Sequence, residues 1–478
     1  MRQHANRRQF MLGAATGACA LSWADKGAAL ADPAPISPGK LSAALPEPAT
    51  RGFHVWNVEP IDYVAEEYLM SGVSPIWEPS SALDTAGSGF SSAAPFNYLQ
   101  HTPNSEPRKV LGSAPYTTRV VIYRPRDMAK FSGVTIIEPI HRQADGYIFV
   151  FNVISRFYAS RGMAVATIQH PASFEPTVKA DPQRYGSLAV KDWTQFWATI
   201  AQLGALLKSD ASPLRALTKR LYLTGYSFTG MCTSTFANFH HNATRAADGR
   251  PIFDGYLSHC NEYYVQPLDV PVIRVNTQGD YNYFTNSSYN PFARVPDSDD
   301  AWNRTRRYEV AGAQHEPLPR AEQGAAIPPF WAAVTCYKTY PAGGQLNENV
   351  FIRPVFEIAV VHMEDWITKQ ISPPRAPWIV IGKSTVQAEL DENGNAVGGL
   401  RMPELQVPVA TYSVGEKECR LNGYMSPFST EKLRALYGNK ARYLKLYDEA
   451  ADAMVAQSWM LQDSAERLKQ HAREIQEF

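Results

Sequence analysis

The chain of 478 residues has no charge bias: 46 Lys and Arg balance 46 Asp and Glu, for a formal net charge of zero. Nucleic-acid binding requires a basic footprint, so that function class is excluded. There is no acidic or basic tail and no internal repeat. Beyond the N-terminus no stretch reaches the roughly 20 apolar residues that a membrane helix needs. There is no His-Glu-x-x-His zinc motif and no glycine-rich loop to cradle a phosphate, so no metal or other cofactor is expected. Cysteine is scarce, with five in the whole chain. His259 precedes Cys260, but no second pair completes a zinc site. What remains is 45% hydrophobic content and 12% aromatics, enough for a large core or an aromatic-lined cleft. Length alone allows two to four domains.

The N-terminus reads as an address rather than as part of the fold. Arg7-Arg8 is followed by Gln9-Phe10-Met11-Leu12 and an apolar stretch to Trp23 that is too short to span a bilayer. Ala29-Leu30-Ala31 offers a small-x-small cleavage site before Asp32; Ser22-Trp23-Ala24 is a second. Residues 1–31 therefore read as a twin-arginine signal peptide. The export machinery is its expected partner, and the mature protein is expected to be periplasmic or secreted. Cys19 leaves with the signal. Cys232, Cys260, Cys336 and Cys419 remain, with three disulfide pairings or buried free thiols all open. Residues 32–50, rich in Pro and Ala, read as a linker, and 51–478 as one domain.

Periodicity gives the fold class. Apolar runs broken by Pro, Ser and Gly from Phe53 to about Thr118 indicate a β-rich N-terminal segment. The β-branched runs 120–124, 134–138, 164–168, 221–223, 270–275 and 308–310 suit strands. Helical spacing is seen at 149–160, 189–207, 352–369 and 430–477, with a Pro-rich break at 372–377. Strands alternating with helices imply an α/β fold: a mostly parallel central sheet with helices on both faces, here with a helical C-terminal extension.

The richest stretch is Leu221 to Gly230. A strand runs into Gly225-Tyr226-Ser227-Phe228-Thr229-Gly230 and then into a helix to about His241, the sequence form of a nucleophile elbow. Ser227 needs a base, and the base needs an orienting acid. In α/β-hydrolases they follow in the order serine, acid, histidine. Asp280 and His315 each sit just past a predicted strand, in that order. The bland alternative for Asp280 is an ordinary turn at Gly279-Asp280, since Asp is common in turns. The backbone N–H of Phe228 supplies half of an expected oxyanion hole, and the loop at Ile140-His141 the other half. His141 and His170 each follow a strand and can line the pocket or compete as base. His240-His241 suits a helix C-terminus, and His362 a structural place on a helix. Tyr263, Tyr264, Tyr281, Tyr283 and Phe284 crowd the region around Asp280, as subsite walls or as core.

From about Asp62 onward the chain resembles the bacterial alpha/beta hydrolase domain-containing proteins, a family of expected serine esterases. The likeness rests on 62–68 with Ser71-Gly72, on 133–138, 181–188 and the elbow around Ser227. It continues through 254–256, 270–280, 294–297, 309–315, 398–403 and Pro427-Phe428. Phe228 and Thr229 stand where the family has Gln-Ser. Gln278 replaces a usual Glu; if that Glu is the family's acid, the triad here is damaged. Pro139 and His141 replace a Trp and an Asn beside the expected oxyanion hole.

The expectation is a secreted serine hydrolase that cleaves a small-molecule carboxylic ester through Ser227, Asp280 and His315. Its rivals are a non-catalytic binding protein that retains the fold, and an acyltransferase or amidase with the same triad.

Overall fold

The computed structural model describes residues 35–46, 58–78, 109–142, 148–261, 263–280, 294–315, 345–346, 351–382, 387–414 and 423–478. The expected signal peptide, Cys336, Cys419, Tyr281, Tyr283 and Phe284 lie outside them.

After the short β1 (Lys40–Leu41), two long strands, β2 (Tyr63–Trp77) and β3 (Val110–Pro125), pair antiparallel. β4 (Val134–Ile140), α1 (Phe149–Ser160) and β5 (Ala164–Gln169) form the first parallel crossover. The short helices α2 (Phe174–Ala180) and α3 (Pro182–Tyr185) and the short strand β6 (Ala189–Val190) precede α4 (Gln195–Leu207). Then come β7 (Arg220–Tyr226), α5 (Phe228–Phe239), β8 (Gly255–His259), β9 (Val272–Thr277), β10 (Ser298–Asp300) and β11 (Asn303–Val310). In the main sheet the order is β1-β2-β3-β5-β4-β7-β8-β9-β11-β10, with β6 on β3. Neighbours from β5 through β11 run parallel.

β12 (Gln345–Leu346), α6 (Ile352–Thr368) and α7 (Pro403–Gln406) follow. β13 (Ala410–Val414) and β14 (Gly423–Pro427) complete a second, three-stranded sheet with β12. The chain ends in α8 (Thr430–Tyr437), α9 (Lys440–Ala456) and α10 (Gln462–Ala472).

The two-residue period of a strand sends alternate side chains to opposite faces, and both faces here are covered. Val121, Tyr123 and Tyr222 join the core under α1, α6 and the C-terminal helices. Val120, Ile122, Leu221 and Leu223 join the core under α4 and α5. All seven residues of β4 are buried. Each buried Val or Ile contributes about 1.5–3 kcal/mol, and this burial holds the strand ends that carry the site in place.

Two expectations shift. The helix expected from Ala189 starts at Gln195, because residues 189–190 pair with β3 and a local cap intervenes. In that cap Asp192 accepts the Thr194 N–H at 2.9 Å, and the Gln195 side-chain oxygen accepts the N–H of Lys191 at 2.8 Å. β8 carries no strand signal in the sequence: its Ser258 and His259 look like loop residues, yet both are buried between β7 and β9.

Candidate active site

β7 ends at Tyr226 and α5 begins at Phe228, so a single residue turns the chain. Ser227 takes φ 54° and ψ −118°, outside the regions an L-residue prefers. The turn is tied from both sides: the Thr229 hydroxyl accepts the Tyr226 N–H at 2.8 Å and donates to the Tyr226 carbonyl at 2.9 Å. Thr229 departs from the resembled family's Ser but keeps the hydroxyl that does this. A β-carbon on Gly225 would collide with the Thr229 carbonyl, and one on Gly230 with the His259 carbonyl. Both glycines are therefore required by backbone crowding.

The Ser227 side chain does not cap α5. Its Oγ lies 2.9 Å from Nε2 of His315, and Nδ1 of His315 lies 2.5 Å from Oδ1 of Asp280. The carboxylate can only accept, so Nδ1 carries the proton and Nε2 faces the serine as an acceptor. Oδ2 of Asp280 accepts the Thr277 N–H at 2.6 Å, and the Asp280 N–H donates to the Thr277 hydroxyl at 3.2 Å. Asp280 and His315 are 0% and 2% exposed. Gln278 turns elsewhere: its Oε1 accepts the Gly312 N–H at 2.8 Å.

Several supports had no readable signal. The Tyr226 hydroxyl donates to the His315 carbonyl, and the Tyr226 ring stacks on Phe149 at 5.2 Å. Cys260 is buried against Asp280 and Tyr226; burial first, and then the Asp280 charge, pushes its thiol well up, against a downward pull from the Tyr226 hydrogen bond. Gly279 brings the two loops into backbone contact. Its N–H donates to the Ala313 carbonyl at 3.0 Å, and a β-carbon there would stand 2.5 Å from the His315 nitrogen. Gly279→Ala is therefore expected to push the Asp280 and His315 loops apart; a crystal structure of the variant checks this, and an unmoved contact between Asp280 and His315 would contradict it.

Ile140 ends β4 and His141 follows it, both buried. The His141 ring meets the Phe228 ring edge-on at 5.5 Å, and the Arg142 guanidinium lies 4.9 Å from the centroid of that ring. Glu138 anchors this corner. Its two carboxyl oxygens accept the N–H groups of Val150 and Phe151 at 2.8 and 2.9 Å, capping α1 from the strand. Burial pushes the Glu138 carboxyl up to about 7, against the pull of those N–H groups.

The other flagged histidines are placed as follows. His170 begins the turn after β5. His259 stacks on Phe356 at 4.5 Å. His241 bonds Tyr256 and Asp269 at 2.8 and 2.5 Å; burial lowers its pKa, so a charged ring at the helix end is disfavoured. His362 bonds the Tyr308 hydroxyl at 2.8 Å. Tyr263 and Tyr264 are buried. Cys232 and Cys260 are free thiols. Among the described residues no group of three or more His, Cys, Asp or Glu could hold a metal ion, and no helix is long and apolar enough to cross a membrane.

His141, His170 and His259 are each pushed down to about 3, first by burial and then by positive neighbours. A folded value below the unfolded ~6.5 means the unfolded state binds more protons, so stability is present above pH ~6.5 and falls with pH below it. Each ring removes about 1.4 kcal/mol per pH unit in that window. Glu138, between its ordinary 4.5 and about 7, and Asp297, raised by burial to about 6, act oppositely, while His362, pushed down by burial to about 4, adds to the three rings, so the histidines outweigh the carboxyls. The thermal midpoint is thus expected to drop from pH 7 to pH 5; a flat or rising midpoint would refute neutral buried rings.

No curated protein matches the chain. Residues 33–470 match the family model described as Alpha/beta hydrolase domain. With that match over most of its length, and a mostly parallel sheet whose strand ends carry the serine elbow, the chain belongs to the alpha/beta hydrolase domain family.

Proposed function

We propose that this protein is a serine hydrolase that cleaves a carboxylic ester through an acyl-enzyme on Ser227. The observation that carries the reading is the unbroken hydrogen-bond chain from Ser227 through His315 to Asp280, seated on a strained elbow. In this reading Ser227 Oγ attacks the ester carbonyl carbon while its proton passes to His315 Nε2. Asp280 holds the tautomer and balances the imidazolium. The N–H of Phe228, at the first turn of α5, and a group from the Ile140-His141 loop hold the oxyanion. The intermediate collapses, the alcohol leaves with the proton from His315, and water repeats the sequence to release the acid. No cofactor enters these steps. The segment 1–31 acts as a twin-arginine signal in the same reading, placing the mature enzyme in the periplasm or outside the cell.

Pre-steady-state hydrolysis of p-nitrophenyl butyrate tests the proposal. A burst approaching one p-nitrophenol per chain is expected, the kinetic mark of an acyl-enzyme. Folded protein that turns over no p-nitrophenyl ester of any acyl length would sink it.

A further inference from the structure

The turn after β5 presents a buried donor for which the described residues hold no acceptor. His170 is 3% exposed. Its Nδ1 accepts the Ala172 N–H at 3.1 Å, capping the short turn at Pro171–Ser173. A nitrogen that accepts carries no proton, so the ring is neutral and its proton sits on Nε2. Burial, with Arg142 and His141 nearby, holds the ring neutral by lowering its pKa to about 3. Nε2 is buried and has no hydrogen-bond partner among the described residues. An unsatisfied buried donor is costly and uncommon, and the deficit is removed only by an acceptor.

The position says whose acceptor. The His170 ring meets the Phe228 ring edge-on at 5.2 Å, and Phe228 directly follows Ser227. Phe196 and Trp193 wall its other sides at 4.6 and 5.8 Å. In the sheet, β5 lies on the β4 side of β7, whereas Asp280 and His315 follow β9 and β11 on the opposite side. His315 delivers a proton to the departing alcohol, so the alcohol faces the β9 and β11 side. The acyl chain then runs toward β4 and β5, past Phe228, where His170 stands.

We propose that His170 is a specificity-determining residue whose Nε2–H donates to an oxygen on the acyl chain of the substrate, so that this enzyme prefers esters of oxygenated acids (ether, hydroxy or oxo) over plain alkanoates. This rests on the serine-hydrolase reading above. The aromatic walls take the methylenes of the chain, and the buried His170 donor discriminates. A site built around a hydrogen bond rejects the analogue that lacks the partner far more strongly than an apolar pocket rejects a change of one methylene.

The test is a scan of p-nitrophenyl hexanoate against its three isosteres in which an ether oxygen replaces the methylene at C3, C4 or C5. For the wild-type protein one isostere is expected to exceed hexanoate in kcat/KM by ~10-fold or more. His170→Asn keeps an acceptor where Nδ1 stood but loses the far donor. It should bring that ratio to within about twofold of unity. His170→Gln, whose amide reaches the Nε2 position, should retain most of the preference. A purely structural role would lower all four esters together and leave the ratio unmoved, which would overturn the proposal. So would a wild-type enzyme that hydrolyses hexanoate and shows no preference for any isostere, with the esterase reading left intact. Absence of turnover for all four esters would overturn both.

Discussion

Ser227→Ala is expected to lower kcat for p-nitrophenyl esters by about 10⁴-fold or more, because the residual rate rests on binding and the oxyanion donors alone. Nothing else at the elbow should change. Alanine keeps the β-carbon, so the φ of 54° and its strain remain. The Thr229 hydroxyl still ties both sides of the turn. The Ser227 N–H still donates to the His259 carbonyl at 3.1 Å. The lost contact is the 2.9 Å bond to His315. Thermal midpoints within a degree or two of wild type should therefore accompany the collapse in rate. A variant that retains a tenth of the activity would show that another group attacks the carbonyl.

Asp280→Asn should cost about as much, roughly 10⁴-fold in kcat, by a different route. The Thr277 N–H demands an acceptor where Oδ2 stands. Asparagine satisfies it with its one carbonyl oxygen, which turns its NH₂ toward Nδ1 of His315. Nδ1 must then accept, and the ring proton moves to Nε2. That nitrogen now faces Ser227 as a donor and takes no proton from it. The fold should tolerate the change, since shape is preserved and the Thr277 contact survives. The comparison variant is Gln278→Glu, which restores the residue usual in the resembled family. Gln278 serves the Gly312 N–H rather than His315, so Gln278→Glu in the Asp280→Asn background should rescue little. Substantial rescue would move the orienting role from Asp280 to position 278.

Much of this arrangement was legible because the chemistry is local in sequence. The strand, Gly225, Ser227 and Gly230 lie within ten residues, and the crowding that requires both glycines is a property of any strand-to-helix turn of this kind. Asp280 and His315 could be placed because apolar β-branched runs mark the ends of β9 and β11. The illegible parts depend on partners distant in sequence. β2 mixes buried and half-buried positions and contains Gly72 and Pro75, so its fifteen-residue length emerges only from pairing with β3. Glu138 reads as the end of a strand, yet its role is to cap α1. Tyr226 enters the sequence only as part of the elbow, yet its hydroxyl fixes the His315 backbone. Gly279 reads as half of a turn, and its need for space comes from the backbone of His315, distant in sequence.

The most direct measurement of the central claim is reaction of the folded protein with a fluorophosphonate, followed by intact mass and peptide mapping. The account predicts one adduct per chain, on Ser227, formed at a rate that falls sharply in Asp280→Asn and vanishes in Ser227→Ala. Folded protein that forms no adduct, or carries it on another residue, would contradict it.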